Sequence, residues 1–330
     1  MKKTLLTICL VWMCFSLSAQ KIIDLSGKWS FSIDRQDNGE KEKWFSHTLN
    51  DCINLPGSMP EKLKGDEVTA KTQWTGSLYD SSYYYNPYME KYRKEGNIKF
   101  PFFLTPDKHY VGAAWYQKEV NIPADWKGER ILLFLERPHI ETTVWVNGQK
   151  TGMQNSLCVP HQYDITHYVR PGKCTITIRV DNRIKEINVG PDSHSITDQT
   201  QGNWNGIVGR ICLQTTPKTY FDDIQIYPEP EQKLARVKVV IKGTGTAKVK
   251  LSAESFNTDK KHIVPAIQQE IKLNKGVTET EMVLPMGNDM LLWDEFHPAL
   301  YKLKAEVTNG KKTEIKEIQF GMRQIGRASC

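Results

Sequence analysis

Apolar and polar residues alternate along several short stretches of the chain. The stretches 174–180, 235–239 and 301–307 each place an apolar residue at every second position. Successive side chains of a β-strand point to opposite faces of its sheet, so this period of two predicts strands with one buried face. Asn147-Gly148 predicts a two-residue hairpin turn, because both residues tolerate a positive φ. No long helical period and no strand–helix alternation is evident, and the pattern therefore predicts an all-β chain built of sandwiches.

The spacing of the predicted strands changes near residues 217–223. Before this point, strands are separated by long loops, and the longest excess lies between residues 59 and 110. After it, strands are predicted at short intervals, over 224–227, 235–241, 247–253, 277–284, 299–307 and 313–320. This second stretch of about a hundred residues has the size of an immunoglobulin-like module. We predict domains over residues 20–217 and 218–323, followed by the short stretch 324–330.

The first 19 residues have the pattern of a secretory signal peptide. Lys2 and Lys3 precede an apolar stretch over 4–17, and small residues then predict cleavage before Gln20. The apolar stretch is short for a membrane span, and no later stretch is apolar for about 18 residues. We therefore expect a chain without a membrane span, exported to the periplasm or secreted.

Composition narrows the range of partners and cofactors. The formal charge is +6, and basic residues are mixed with acidic ones, which argues against a nucleic-acid partner. The predicted mature chain keeps five widely spaced cysteines without a Cys-x-x-Cys pair: Cys52, Cys158, Cys174, Cys212 and Cys330. This spacing indicates neither a zinc site nor a redox motif, and it favours buried free thiols, although one disulfide remains open. We predict no cofactor and no metal.

Three motifs occur in order in the second half of the chain. They are Gly202-Asn203-Trp204-Asn205-Gly206-Ile207, the stretch 292–301, and Phe320-Gly321-Met322-Arg323. Earlier stretches that fit the same series are 25–31, 55–58, 115–120, 145–148, 164–166 and 179–182. Together they resemble glycoside hydrolase family 2, whose members include β-galactosidases, β-glucuronidases and β-mannosidases. The resemblance implies a jelly-roll, galactose-binding-like sugar-binding domain, then an immunoglobulin-like sandwich, then a catalytic (α/β)8 barrel.

The resemblance also implies that catalysis belongs to the barrel. Retaining hydrolysis uses two carboxyl groups about 5 Å apart, and in this family both are barrel glutamates, one of them directly after an asparagine. This chain contains no Asn-Glu dipeptide, and only residues 324–330 follow the last motif, whereas a barrel takes about 250 residues. We therefore expect the barrel to be absent from a truncated sequence, with no catalytic residue present and the barrel as its missing partner.

The expected function is that of the N-terminal part of an exported β-glycosidase. In its complete form the enzyme hydrolyses β-linked glycans with retention, and this chain alone is expected to be inactive. Two alternatives remain open at this point, a stand-alone carbohydrate-binding protein and a structural interaction module.

Asp198 is the first candidate for contact with substrate. It lies eight residues before Gly206, and in galactosidase-like members an aspartate at this spacing reaches into the substrate pocket. The alternative is a loop aspartate that accepts hydrogen bonds from turn amides. Trp204 and Asn205 are also candidates, although Trp204 could equally pack at the interface with the barrel.

His109 and Tyr110 are candidates because related galactosidase-like enzymes place an asparagine of the pocket nearby, but here no asparagine occupies that position. They belong to an aromatic-rich stretch, 74–116. Aromatic faces suit the C–H face of a sugar ring, and we expect one to three of these rings to contact ligand while the others pack the loop.

The charged run 136–141 could imitate a catalytic pair through Glu136 and Glu141. On one extended strand, these carboxylates would face opposite ways about 17 Å apart, which is too far for retaining hydrolysis. We predict a solvated or interface role for them. Asp294 and Glu295 are predicted to form a turn before His297-Pro298.

Overall fold

The computed structural model describes residues 21–69, 71–75, 85–99, 106–157, 159–185, 197–198 and 202–323. The predicted signal peptide, the stretch 324–330, Cys158 and Cys330 lie outside the described residues. The described chain forms two compact units, which divide between Thr215 and Thr216.

The first unit is built almost entirely of antiparallel strands. In chain order, those described are β1 (Ile22–Asp24), β2 (Gly27–Asp34), β3 (Asp51–Leu55), β4 (Gly57–Ser58), β5 (Asp66–Glu67), β6 (Lys108–His109), β7 (Ala113–Ile122), β8 (Arg130–Pro138), β9 (Glu141–Val146), β10 (Gln149–Asn155), β11 (His161–Asp164), β12 (Gly172–Asp181) and β13 (Gly206–Thr216). Short 3₁₀ turns cover Trp44–Ser46, Pro87–Tyr92 and Ala124–Trp126.

These strands form the two layers of a jelly-roll sandwich. One sheet has the order β1-β13-β8-β11, with β4 beside β13, and the other has the order β10-β9-β12-β7-β2-β3. A separate pair joins β5 to β6. Alternate residues of β12 and their counterparts on β8 and β13 are buried in one apolar core between the layers, which confirms the strand predicted over 174–180. Asn147 and Gly148 have φ values of 49° and 78° in the turn between β9 and β10, and the hairpin prediction is confirmed.

The outer face of the six-stranded sheet carries a second aromatic cluster. Trp115 and Trp145 lie on this face with their rings 4.9 Å apart. The connection between β2 and β3 contributes Trp44, 6.1 Å from Trp115, and Phe45, which stacks on Trp145 at 5.2 Å. Residues on this face are therefore buried, although they lie outside the sandwich core.

Glu141 is buried on this face, so the solvated alternative of its prediction is wrong, and the interface alternative stays a prediction. Glu136 and Glu141 lie on different strands, because β8 ends at Pro138 and β9 begins at Glu141. Glu141 is buried beside Arg179 at 3.4 Å and Lys185 at 2.8 Å. Its charge is thereby paired, as burial requires.

The second unit contains β14 (Tyr220–Glu229), β15 (Leu234–Phe256), β16 (Ile263–Pro285), β17 (Leu300–Asn309) and β18 (Lys312–Phe320), with a 3₁₀ turn over Pro230–Gln232. The sheet order is β14-β15-β17-β18, and β16 pairs with β15 along its length. Both halves of β15 bury alternate residues in one core, as an immunoglobulin-like sandwich requires.

The sequence predicted two strands where the structure has the single strand β15. Its pairing with β16 shifts register between Gly243 and Gly245, and Gly245 has a φ of 86°. Glycine permits this conformation without a steric penalty. The strand therefore passes through the irregularity and serves both halves of the unit. The half of β16 that begins at Ile263 is a strand that the sequence analysis missed.

Other local predictions can be compared with the structure directly. Asp294 Oδ1 accepts hydrogen bonds from the amides of Phe296 and His297 at 2.8 and 2.7 Å, which confirms the turn. Cys174 and Cys212 are buried free thiols, as predicted, and burial raises the pKa of Cys174 to about 11. Cys52 is a free thiol but is exposed, so the prediction of burial is wrong for it. Among the residues that the structure describes, no helix has the length and apolar character needed to cross a membrane.

The backbone of β13 approaches β4 closely at Gly206. Its φ is 146°, and a Cβ atom would lie 2.5 Å from the carbonyl oxygen of Gly57. We expect Gly206→Ala to lower the free energy of unfolding by about 3 kcal/mol, because backbone must move to admit the methyl group. Urea unfolding followed by tryptophan fluorescence measures the loss.

Gly128→Ala is the matched control, since Gly128 also has a positive φ, 85°, but no atom within 4 Å of the added carbon. Backbone strain alone is expected to cost about 1–2 kcal/mol there. Equal losses in the two variants would show that the contact with Gly57 is unimportant.

Candidate functional site

Several strand ends meet at one end of the first unit. The amide of His139, directly after β8, donates to the carbonyl oxygen of Gly206 at the start of β13. The amide of Asn182, directly after β12, donates to the carbonyl oxygen of Gly112, just before β7. Antiparallel pairing of β12 with β7 places these connections side by side. Polar side chains from distant parts of the sequence therefore converge here.

Asp198 is buried within this group, with an exposed fraction of 2%. Its Oδ1 accepts a hydrogen bond from the amide of Asn203 at 2.5 Å, and its Oδ2 accepts one from the amide of Thr75 at 2.6 Å. His109 Nε2 lies 3.2 Å from Oδ2. Hydrogen bonds of this kind offset the cost of burying a carboxylate. The contacts with two backbone amides match the role of a loop aspartate that satisfies turn amides.

Asn203 connects Asp198 to the rest of the cluster. Its Nδ2 donates to Thr75 Oγ1 and to the carbonyl oxygen of Asn182, both at 3.0 Å. Its Oδ1 accepts from Asn182 Nδ2 and lies 3.1 Å from His139 Nε2. The amide side chain supplies two donors and an acceptor, and here it uses all of them in a buried setting.

Asn182 brings Tyr110 into the same network. Its Nδ2 donates to the carbonyl oxygen of Tyr110 at 2.9 Å, and its Oδ1 accepts from the amide of Gly112 at 2.8 Å. The hydroxyl of Tyr110 donates to the carbonyl oxygen of Ala113 at 2.9 Å. Burial raises the pKa of Tyr110 well above its usual range, so the phenol stays protonated and acts as a donor.

Trp204 and Asn205 point to different surroundings. Trp204 is half-buried and stacks on His139, with ring centroids 4.5 Å apart. Asn205 is fully buried, accepts a hydrogen bond from Tyr116 at 2.7 Å and donates to the carbonyl oxygens of Gly112 and Val180. Every side-chain group of Asn205 is thus occupied by the sandwich itself.

The imidazole of His139 is held in its neutral form. Burial lowers its pKa to about 4, although the hydrogen bond with Asn203 and the nearby charge of Asp198 oppose this shift. Burial of an unpaired imidazolium is unfavourable, which explains the direction.

The long aromatic stretch divides into buried and exposed rings. Trp115 and Tyr116 belong to β7 and are buried. Trp74 lies 4.8 Å from His109, ring to ring, and packs with Met89 and Tyr92. Tyr85 and Tyr88 are 70% and 84% exposed, the latter at the start of the 3₁₀ turn Pro87–Tyr92. Tyr79, Tyr83, Tyr84, Phe100, Phe102 and Phe103 lie outside the described residues.

Comparison with known proteins identifies the fold and the family. The model of the glycosyl hydrolases family 2 sugar binding domain matches residues 22–217, and a second glycosyl hydrolases family 2 model matches residues 219–323. The chain belongs to glycosyl hydrolase family 2.

Family 2 relatives align with almost the whole chain at low identity. Human β-glucuronidase is 24% identical over 92% of the chain, and the β-galactosidase large subunit of Lactobacillus acidophilus is 22% identical over 91%. The structure of β-glucuronidase from Ruminococcus gnavus without ligand superimposes with a TM-score of 0.59 at 18% identity, covering 93% of this chain and 46% of that one. The chain spans 44% of the human enzyme and 46% of the Lactobacillus subunit, less than half of each relative.

The family 2 motifs contain some residues of the polar cluster around Asp198, but not all of the residues that contact them. Asp198 and His109 are in contact, and Tyr110 joins them through Asn182 and Asn203. That these residues, Trp204 and Asn205 bind substrate stays a prediction. The sequence analysis missed the roles of Asn203, Asn182, His139 and Thr75. Asn203 and Asn182 lie inside motifs that the sequence analysis used, Gly202–Gly206 and 179–182. Their place in these motifs was the sequence signal that could have identified them.

His139 makes the stability of the first unit depend on pH. The unfolded chain binds a proton at this imidazole near pH 6.5, whereas the folded chain does so near pH 4. The stabilisation of the folded unit by the neutral His139 imidazole is therefore complete above pH 6.5 and disappears as the pH falls through 4. We expect a loss of about 3 kcal/mol across this window, measured by urea unfolding at a series of pH values.

His139→Phe is expected to remove this part of the pH dependence while keeping an aromatic ring against Trp204. His167→Phe, at an exposed position, serves as the control and is expected to retain the wild-type profile. Identical profiles for wild type and His139→Phe would contradict the assignment.

Proposed function

We propose that the chain supplies the sugar-binding and immunoglobulin-like domains of an exported β-glycosidase. The complete enzyme hydrolyses terminal β-linked sugars and retains the configuration at the anomeric carbon. The observation that carries this proposal is the continuous match of both family 2 domain models, over 22–217 and 219–323. Relatives named β-glucuronidase and β-galactosidase support a β-glycoside as the substrate class.

Within this proposal, Asp198 contacts the sugar and does not attack it. A carboxylate accepts strong, directional hydrogen bonds from hydroxyl groups. The cluster described around Asp198 otherwise offers amide, hydroxyl, imidazole and indole groups. Retaining hydrolysis needs a second carboxyl group about 5 Å away, and the chain contains no Asn-Glu dipeptide of the kind that carries the acid/base in this family. The chain alone is therefore proposed to bind sugar weakly and to lack turnover.

Export is the second part of the proposal. It rests on the two lysines and the apolar stretch that precede Ala19. A destination in the periplasm or outside the cell suits an enzyme that acts on glycans, and the mature chain would begin at Gln20.

The purified chain is expected to give no turnover on 4-nitrophenyl β-glucuronide, β-galactoside and β-mannoside. Loss of the carboxyl pair forfeits most of the 8–23 kcal/mol by which enzymes typically lower a barrier. Release of nitrophenolate measures the rate, with human β-glucuronidase as the positive control. Turnover that Asp198→Asn abolishes would contradict the proposal, because it would place the chemistry within this chain.

Expression in a Gram-negative host tests export. We expect the periplasmic fraction to contain a chain whose N-terminal residue is Gln20 and whose mass matches that cleaved chain. Replacing Lys2 and Lys3 by Glu is expected to retain the chain in the cytoplasm with its leader attached, because the positive region is lost. Lys28→Glu, exposed within the predicted mature chain, is the control for added negative charge, and equal retention of both variants would argue against a signal peptide.

A further inference from the structure

The carboxylate of Asp198 is closed to a sugar in the structure. Its side chain is 1% exposed, and its oxygens already contact Thr75, Asn203 and His109. A carboxylate has about four lone-pair sites, so three of them are in use. The fourth site is closed by burial, since the side chain is 1% exposed, and a sugar hydroxyl must therefore displace a neighbour to reach either oxygen.

Two of the three neighbours are held by further contacts of their own. Asn203 is buried and contacts Asn182 and His139 through its side chain, and Asn205, two residues further on, lies in the core. His109 belongs to β6, which pairs with Asp66 on β5. Displacing either residue would break contacts throughout this end of the unit.

The third neighbour belongs to a segment with its own local fold. The amide of Thr72 donates to the carbonyl oxygen of Thr69 at 3.1 Å, and the amide of Thr69 donates to Thr72 Oγ1 at 2.9 Å, which closes a turn before Trp74. Lys71 and Gln73 are exposed. The turn therefore has hydrogen bonds of its own, separate from those between Thr75 and Asp198.

Trp74 and Thr75 cover Asp198 and His109 together. The amide and carbonyl groups of Thr75 pair with Asp198 in both directions, at 2.6 Å and 2.9 Å. Thr75 Oγ1 accepts from Asn203 at 3.0 Å, and the ring of Trp74 lies over His109. One short segment thus covers two of the polar groups that the sequence analysis assigned to the pocket.

We propose that Trp74-Thr75 is a lid, which a sugar displaces when one of its hydroxyl groups takes the place of the Thr75 amide at Asp198 Oδ2. The lid rests on the proposed function, since it presumes that Asp198 binds sugar. It makes the open, binding-competent form a minor population, so the apparent affinity is lowered by the fraction that is open.

Thr75→Pro in the full chain tests the lid, because proline lacks the N–H that donates to Asp198. The loss of one hydrogen bond to a charged acceptor is expected to tighten the apparent Kd for 4-nitrophenyl β-glucuronide or β-galactoside by about tenfold. NMR titration of each glycoside measures the Kd. Thr75→Val, which keeps the backbone amide and loses only Oγ1, is the matched control and is expected to give a smaller gain.

The double variant Thr75→Pro, Asp198→Asn is expected to lose the gain. Equal Kd values for wild type and Thr75→Pro would overturn the lid, whereas a lack of binding of either glycoside by either protein would contradict the sugar contact of Asp198 in the proposed function. Turnover by the chain alone would instead overturn the proposed function and leave the Kd ratio unaffected, so the two failures are distinguishable.

Hydrogen exchange of the wild-type chain provides a second measurement in case Thr75→Pro does not fold. A saturating glycoside is expected to speed exchange of the Thr75 amide at least severalfold while the Asn203 amide stays protected. Unchanged or slower exchange at Thr75 in the presence of bound glycoside would overturn the proposal.

Discussion

The burial of one carboxylate, that of Asp198, organises the end of the first unit. An ionised group removed from water is costly unless donors surround it. Its partners Thr75 and His109 lie 123 and 89 residues away in the sequence. Because these donors come from separate connections, the carboxylate can be satisfied only when the segments that carry Thr75 and His109 have folded against Asp198. These segments are thereby held by electrostatics and hydrogen bonds as well as by ring packing.

Adjacent residues of the Gly202–Gly206 motif lie in different environments. Asn203 faces the polar cluster, Trp204 stacks on His139, and Asn205 enters the core. The two asparagines occupy opposite sides of one turn, and both are satisfied in full within the described part of the unit. Asn203 couples Asp198 to Asn182, and Asn205 couples the same turn to β7 and β12. The motif therefore joins the polar end of the unit to its apolar core.

The sequence contained enough information to predict most of the fold. The alternation of apolar and polar residues depends only on residues two positions apart, and it predicted strands within β12, β15 and β17. The turns at Asn147-Gly148 and Asp294 follow from local backbone chemistry. The contact of Asp198 with Thr75, and its link through Asn203 to His139, could not be predicted, since these residues are distant in sequence and meet only in the folded unit. The burial of Glu141 was missed for a related reason. Its face of the sheet is covered by the distant β2–β3 connection, and alternation does not reveal such a cover.

The state of Asp198 also bears on what this unit can contribute to sugar binding. If a hydroxyl group replaces the Thr75 amide, the number of hydrogen bonds at the carboxylate is unchanged, and the net free energy from that exchange is small. Affinity must then come from apolar contact with rings outside the lid, whereas the carboxylate favours a sugar whose hydroxyl group is in the correct position. A site of this kind contributes more to selectivity among sugars than to the affinity for any one of them. Weak binding by the first unit is therefore compatible with a role in substrate selection, because an unplaced hydroxyl would leave the opened carboxylate short of a donor.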